Sequence, residues 1–192
     1  MKILVTGGAG FIGSNFIRHL LKKYTNYQVV NLDKLTYAGN LNNLKEIEGN
    51  SSYQFVKGDI ADRRTVFKIC RNKKIEAIIN YAAETNVDRS IMDPDAFIKT
   101  DVFGTYNLLE AVKQFNIAKM IQVSTDEVFG SIAKGKFTET SPFKPNSPYS
   151  ASKAAGDLLC RAYVKTYNLP VIVSNSCNCY GPYQYPEKMI PL

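Results

Sequence analysis

The sequence has a single histidine, His19, and only four cysteines, Cys70, Cys160, Cys177 and Cys179, among 192 residues. Structural zinc sites need thiolates and imidazoles clustered at short spacings. Here the one close pair is a C-x-C and His19 stands apart, so no metal is expected. Dispersed thiols of this kind are expected to be reduced, as in cytosol. Runs of one charge are lacking too. The net charge of +7 comes from 24 basic and 17 acidic side chains scattered along the chain. Such a pattern reads as a solvated basic surface with a general attraction for anions such as nucleotides. It carries neither the basic stripe nor the motif of a nucleic-acid binder. No apolar run nears the roughly 20 residues of a membrane-spanning helix. Residues 1–5 run straight into a motif, which leaves no space for a signal peptide. A cytoplasmic protein with no membrane or nucleic-acid partner is expected.

What is present is an ordinary globular composition, 45% hydrophobic and 21% charged, enough for a core without disulfides or metals. Apolar runs at residues 2–6, 27–32, 53–57, 76–81, 118–124 and 170–175 read as strands. Between them, helical spacing predicts helices over 11–24, 63–72, 94–115 and 149–167. In the first of these Phe16, Ile17, Leu20 and Leu21 share one face. Strands alternating with amphipathic helices predict an α/β fold, a Rossmann-type doubly wound parallel sheet of order 3-2-1-4-5-6. The polar stretch 126–148 is too long for a simple connection and is expected to be a functional loop.

Between the first strand and helix stands Thr6-Gly7-Gly8-Ala9-Gly10-Phe11-Ile12-Gly13. Glycines there allow a tight turn and let backbone N–H groups approach a pyrophosphate, whose charge the helix N-terminus favours. Asp33 follows twenty residues beyond Gly13, at the end of the second strand. A carboxylate in that place accepts ribose hydroxyls and repels a 2′-phosphate, which predicts NAD rather than NADP. Asp59 and Ile60 close the third strand, beside the expected adenine position.

Tyr149-Ser150-Ala151-Ser152-Lys153 is a Y-x-x-x-K at the start of a helix, with Tyr149 and Lys153 on one face. A nearby ammonium is expected to lower the tyrosine pKa, so that the phenolate takes a proton from a sugar hydroxyl as hydride leaves the carbon.

With these motifs in view, the chain resembles the extended short-chain dehydrogenase/reductases. Within them it is similar to the dTDP-glucose 4,6-dehydratases. The likeness is carried by Leu32–Leu41, Ala82–Ser90, Ser124-Thr125-Asp126-Glu127-Val128-Phe129-Gly130 and Tyr180–Lys188. The resemblance implies that Thr125 orients the sugar and supports Tyr149, while Asp126 and Glu127 carry out the dehydration. Oxidation at C4 acidifies the C5 proton, which Glu127 removes as Asp126 protonates the departing C6 hydroxyl. Hydride then returns to C6 and a proton to C5, giving a 4-keto-6-deoxy sugar nucleotide. By resemblance the cofactor contacts are Gly7, Gly10, Phe11, Ile12, Gly13, Asp33, Lys34, Leu35, Thr36, Asp59, Ile60, Tyr81, Ala82, Ala83, Thr100, Tyr149, Lys153 and Cys179. Those to the substrate are Thr85, Thr125, Asn178, Lys188 and Met189. A homodimer through helices 94–115 and 149–167 is implied as well.

Asn80, Tyr81, Thr85 and Asn86 stand where that family reads His, Phe, Ser and His, and Cys179 stands where it reads Asn. The family continues beyond Leu192. The expected division is therefore 1–175 as the NAD-binding domain and 176–192 as the start of a substrate region whose larger part is missing, with NAD binding retained and turnover poor. The strand at 170–175 is expected to be left with an unpaired edge. Two alternatives are a non-catalytic NAD-binding remnant and a sugar-nucleotide 4-epimerase. Asp126-Glu127 speaks against the epimerase, which needs no acid and base for C5 and C6.

Overall fold

The computed structural model describes residues 1–187. Six parallel strands form one sheet: β1 (Lys2–Thr6), β2 (Gln28–Asp33), β3 (Tyr53–Lys57), β4 (Ala77–Asn80), β5 (Lys119–Thr125) and β6 (Val171–Ser176), in the order β3-β2-β1-β4-β5-β6. This is the expected order. Successive side chains of a strand point to opposite faces, so an all-apolar strand feeds two cores. Leu4, Val30, Leu32 and Ile78 face a core shared with Val66, Leu108, Leu109 and Cys160. Those partners belong to the helices α2 (Arg63–Lys73), α5 (Thr105–Phe115) and α6 (Pro148–Tyr167). The alternate residues Ile3, Val5, Val29 and Ile79 face Ile17 and Leu20 of α1 (Phe11–Lys23), together with Leu44 of the 3-10 turn Leu41–Ile47.

Helix ends follow local chemistry. Ser147 and Ser150 form a reciprocal capping box with Pro148 in the first turn, which fixes where α6 begins. Asn116 and Asn168 end α5 and α6 in the left-handed conformation that asparagine tolerates.

The helix expected over 94–115 is continuous but not uniform. It begins as α4 (Pro94–Phe97), passes through a π-helical segment, Ile98–Gly104, and ends as α5. Gly104 lies against Ile60, where a Cβ would stand 2.4 Å from the Ile60 side chain. A short helix α3 (Val87–Met92) precedes it, capped by the Asn86 side chain, which accepts from the Arg89 N–H. The stretch 126–148 opens with a 3-10 turn, Asp126–Phe129, before an irregular loop. At the sheet edge β6 pairs with β5 alone among the described residues, and Ile172 is 52% exposed.

Candidate functional site

A cleft of about 570 Å³ runs along the C-terminal ends of the strands. At one end the β1–α1 turn is held by very close backbone packing. Gly7 has φ +66, and a Cβ there would meet Ala82 N at 2.6 Å. A Cβ on Gly13 would stand 2.4 Å from Gly7 O, so both positions require glycine. Gly10 differs, because its Cβ would meet only Gly7 O, at 3.3 Å, on a residue lining the cleft. No acidic residue stands in the first turn of α1, and its N-cap, Gly10, supplies no side chain. The free N–H groups of that turn therefore make a ready anion site.

Asp33 closes β2, 8% exposed. Its Oδ2 accepts the Ala9 N–H and its Oδ1 the Leu35 N–H, both at 2.8 Å. Burial raises its pKa, and the two backbone N–H groups oppose that. One lone pair per oxygen shapes the loop, which leaves the others to face the cleft. Lys34 Nζ pairs with Asp59 Oδ2 at 2.8 Å across the cleft rim, while Thr36, Asp59 and Ile60 line the cleft. Leu35, expected among the cofactor contacts, does not line it. Its backbone, at φ 60, serves the Asp33 turn instead.

Tyr81, Ala82, Ala83, Thr85 and Thr100 line the middle, with Phe11 and Ile12 from the helix side. Asn80 and Asn86, which stand where the family reads imidazoles, keep hydrogen-bonding work. Asn80 is buried between the Thr6 hydroxyl, which donates to its Oδ1, and Gln122, whose Oε1 accepts from its Nδ2 at 2.8 Å. Asn86 caps α3 and donates to Glu187 at 3.0 Å.

At the other end, β5 delivers Thr125 and the capped start of α6 delivers Tyr149, with Lys153 one turn on; all three line the cleft. Of the two adjacent acids, Glu127 lines the cleft. Asp126 does not; the Thr125 hydroxyl donates to it at 3.4 Å, and it faces the Cys177 thiol, whose pKa it raises. The expectation that Lys153 makes Tyr149 more acidic is not met. Burial first, then the charges of Asp101 and Glu127, push the Tyr149 pKa above its ordinary value, and the Thr125 hydroxyl opposes them. Lys153 is itself 4% exposed and donates to the Val123 carbonyl at 2.9 Å, in the strand beneath.

Residues 176–187 cross the mouth as a strap that sequence reasoning did not assemble. Glu187 accepts from the Tyr37 hydroxyl at 3.1 Å, Arg89 stacks on the Tyr37 ring at 3.8 Å, and Arg18 stacks on Tyr183 at 3.8 Å. Asn178 and Cys179 line the cleft beneath it. Lys188 and Met189, expected at the substrate, lie outside the described residues.

Residues 4–192 match the model of the GDP-mannose 4,6 dehydratase family. The chain belongs to that family. Among its relatives, a dTDP-glucose 4,6-dehydratase from Xanthomonas campestris pv. campestris is 53% identical, over 98% of this chain and 56% of that protein. DesIV, a dTDP-glucose 4,6-dehydratase from Streptomyces venezuelae solved with NAD bound, superposes with a TM-score of 0.95 at 49% identity, over 100% of this chain and 60% of that one. The resemblance read from the sequence is thus borne out. A UDP-glucose 4-epimerase from Thermus thermophilus, solved with NAD, is more distant: TM-score 0.88 and 33% identity, over 98% of this chain and 59% of that one. The family member described here therefore spans less than two thirds of the relatives it matches. Among the described residues no helix is long and apolar enough to cross a membrane.

Proposed function

We propose that this chain is the NAD-binding portion of a nucleotide-sugar 4,6-dehydratase acting on dTDP-glucose. The observation that carries this is one cleft holding a glycine cradle with Asp33 at one end and Thr125, Glu127, Tyr149 and Lys153 at the other. The cradle fits a dinucleotide on structural grounds: glycines at 7 and 13 where no Cβ can stand, free N–H groups on α1 and a buried carboxylate at the end of β2 beside the cleft. NAD held there would take hydride from C4 and return it at C6. Tyr149 takes the C4 hydroxyl proton. Its raised pKa makes that transfer dependent on the cationic surroundings of the filled site. Thr125 holds the hydroxyl in line. Glu127, open to the cleft, removes the C5 proton. Asp126, just outside the lining, is assigned the proton given to the departing C6 hydroxyl, and once hydride is on C6 the proton held by Glu127 returns to C5. The Thr125-Asp126-Glu127 turn favours this reading over a 4-epimerase, in which no water is lost.

We also infer a homodimer, on the strength of Met92 (85% exposed), Ile91, Phe103 and Leu158, apolar side chains left in solvent on α3, the π-helical segment and α6. A cytoplasmic setting is supported by four free cysteines. Residues 1–175 would form the NAD-binding unit, and 176–192 would begin the substrate region.

The test is product formation from dTDP-glucose and NAD, by the 192-residue chain and by the same chain joined to the C-terminal portion of DesIV. The expected result is a 4-keto-6-deoxy sugar from the joined protein, with far slower turnover by the shorter one. Epimerised, undehydrated sugar would replace this reading with the epimerase; NAD binding without any turnover in either protein would leave the non-catalytic module.

A further inference from the structure

The proposed reaction leaves two buried acids near the Tyr149–Lys153 pair without a task, Asp101 and Asp157, of which Asp101 is tied to the cleft loop. Asp101 is 2% exposed and lies in the π-helical segment Ile98–Gly104, a geometry that recurs at functional sites. Its Oδ2 accepts the Ser152 hydroxyl at 2.7 Å, and its Oδ1 accepts the Glu84 backbone N–H at 3.2 Å. Ser152 sits between Tyr149 and Lys153 in α6, and its hydroxyl is also 2.8 Å from the Tyr149 carbonyl. One turn further on, Gly156 lets α6 approach so closely that a Cβ would stand 3.0 Å from the Asp101 carbonyl oxygen. A single carboxylate thus ties together the start of α6, the π-helical segment and the cleft loop at Glu84.

The charges around it are few and opposed. From α6, Lys153 draws the Asp101 pKa down while burial drives it up, and the outcome is about 6. From the loop after β4, Glu84 faces it with a pKa raised by burial and by Asp101 itself. On α6, Tyr149 feels the Asp101 charge, along with those of Glu127 and Asp126 from the turn after β5. Asp157, buried one turn beyond Lys153, is raised by burial and lowered by Ser124, Lys153 and Asn175.

We propose that Asp101 is a positioning residue for the Tyr149–Lys153 pair: its carboxylate fixes the first turns of α6 through Ser152 and acts as counter-charge to the Lys153 ammonium. The role given to that pair rests on the reading above. Ionised, Asp101 steadies the ammonium and holds Tyr149 as the phenol. Protonated, it releases both, so the acidity of the tyrosine depends on an acid with which it shares no direct hydrogen bond.

The experiment follows the aspartate carboxyl carbons of the 192-residue chain by ¹³C NMR. A resonance absent from Asp101→Asn is expected to titrate near pH 6. In Lys153→Met its midpoint should rise by about one pH unit, because the attraction of the ammonium is gone. Lys153→Arg, which keeps the charge, should return the midpoint close to its original value. If Lys153→Met does not fold, Lys153→Gln serves for the same comparison. A midpoint unmoved by loss of the lysine charge, or one near the ordinary value of about 4, overturns the proposal. Calorimetric titration of the same samples with NAD keeps the two readings apart: failure of the parent chain to bind NAD sinks the functional reading and leaves the Asp101 measurement decisive on its own.

Discussion

The two ends of the cleft are built by different means. The cradle end is backbone: Gly7 and Gly13 pack so tightly that neither admits a Cβ, and the Asp33 carboxylate is already fixed by two N–H groups. Its geometry is complete without a ligand. The end proposed to be catalytic is side chains and charge. Tyr149, Lys153, Asp101 and Glu127 come from α6, the π-helical segment and the turn after β5, and the protonation of Tyr149 and Asp101 depends on the charges the fold brings around them. A substitution at the cradle should act through shape, whereas one at the catalytic end should act through pH and rate.

The largest effect that would sharpen this contrast is kinetic. In the joined protein, Tyr149→Phe should slow hydride transfer about 10³-fold and leave no NADH absorbance. Glu127→Gln should still oxidise C4 but stall before water loss, with NADH accumulating. Normal dehydration by Glu127→Gln would remove that residue from its assigned role.

Next come the glycines. Gly13→Ala should destabilise the chain by about 3 kcal/mol, since the new methyl collides with backbone at 2.4 Å. Gly10→Ala should unfold at nearly the parent's denaturant midpoint but lose NAD affinity, because its methyl enters ligand space. Equal stability losses in both variants, read from urea unfolding, would break the distinction between scaffold and binding glycines.

A comparable but pH-dependent effect belongs to Asp101. Its pKa in the fold, about 6, stands above the ordinary value of 3.8. A carboxyl raised in this way contributes stability below its unfolded pKa and loses it as pH rises through the folded one. Asp101→Asn, which stands in for the protonated carboxyl, should therefore be more stable than the parent by about 3 kcal/mol at pH 8. Below pH ~3.5 the two should be equal. A stability difference independent of pH would mean that the charge of Asp101 is not what burial acts upon.

The smallest expected effect is at Asp33. Asp33→Ala should relax the discrimination between NAD and NADP by about tenfold, an energy near 1.4 kcal/mol. An unchanged ratio would take the preference away from this carboxylate.

Legibility followed the same division. The cradle was readable because its glycines and Asp33 lie within a short stretch whose spacing dictates the backbone, and the strand order followed from alternating apolar strands and helices. Leu35 lies outside the cleft lining because, from a turn at φ 60, it gives its N–H to Asp33. At the proposed catalytic end the sequence pointed to residues that line the cleft, Thr125, Glu127, Tyr149 and Lys153, but not to their electrostatics. The sequence shows Lys153 four residues from Tyr149, yet the charges that govern the phenol come from Asp101 and Glu127, which are brought close only by the fold. Asp101 left a signal, since helical spacing places it on the stripe of Phe97, Gly104 and Leu108, where an acid is out of place. Its partners Ser152 and Glu84 were beyond reach of that signal. The strap was invisible for the same reason: Tyr37 and Glu187 meet across 150 residues of chain.

The central claim, that the preformed cradle holds NAD, is tested most directly by calorimetric titration of the 192-residue chain with NAD and with NADP under identical conditions. Saturable binding of NAD, with NADP weaker by about tenfold or more, is the predicted result. Equal affinity for the two cofactors, or no binding of NAD, would contradict it.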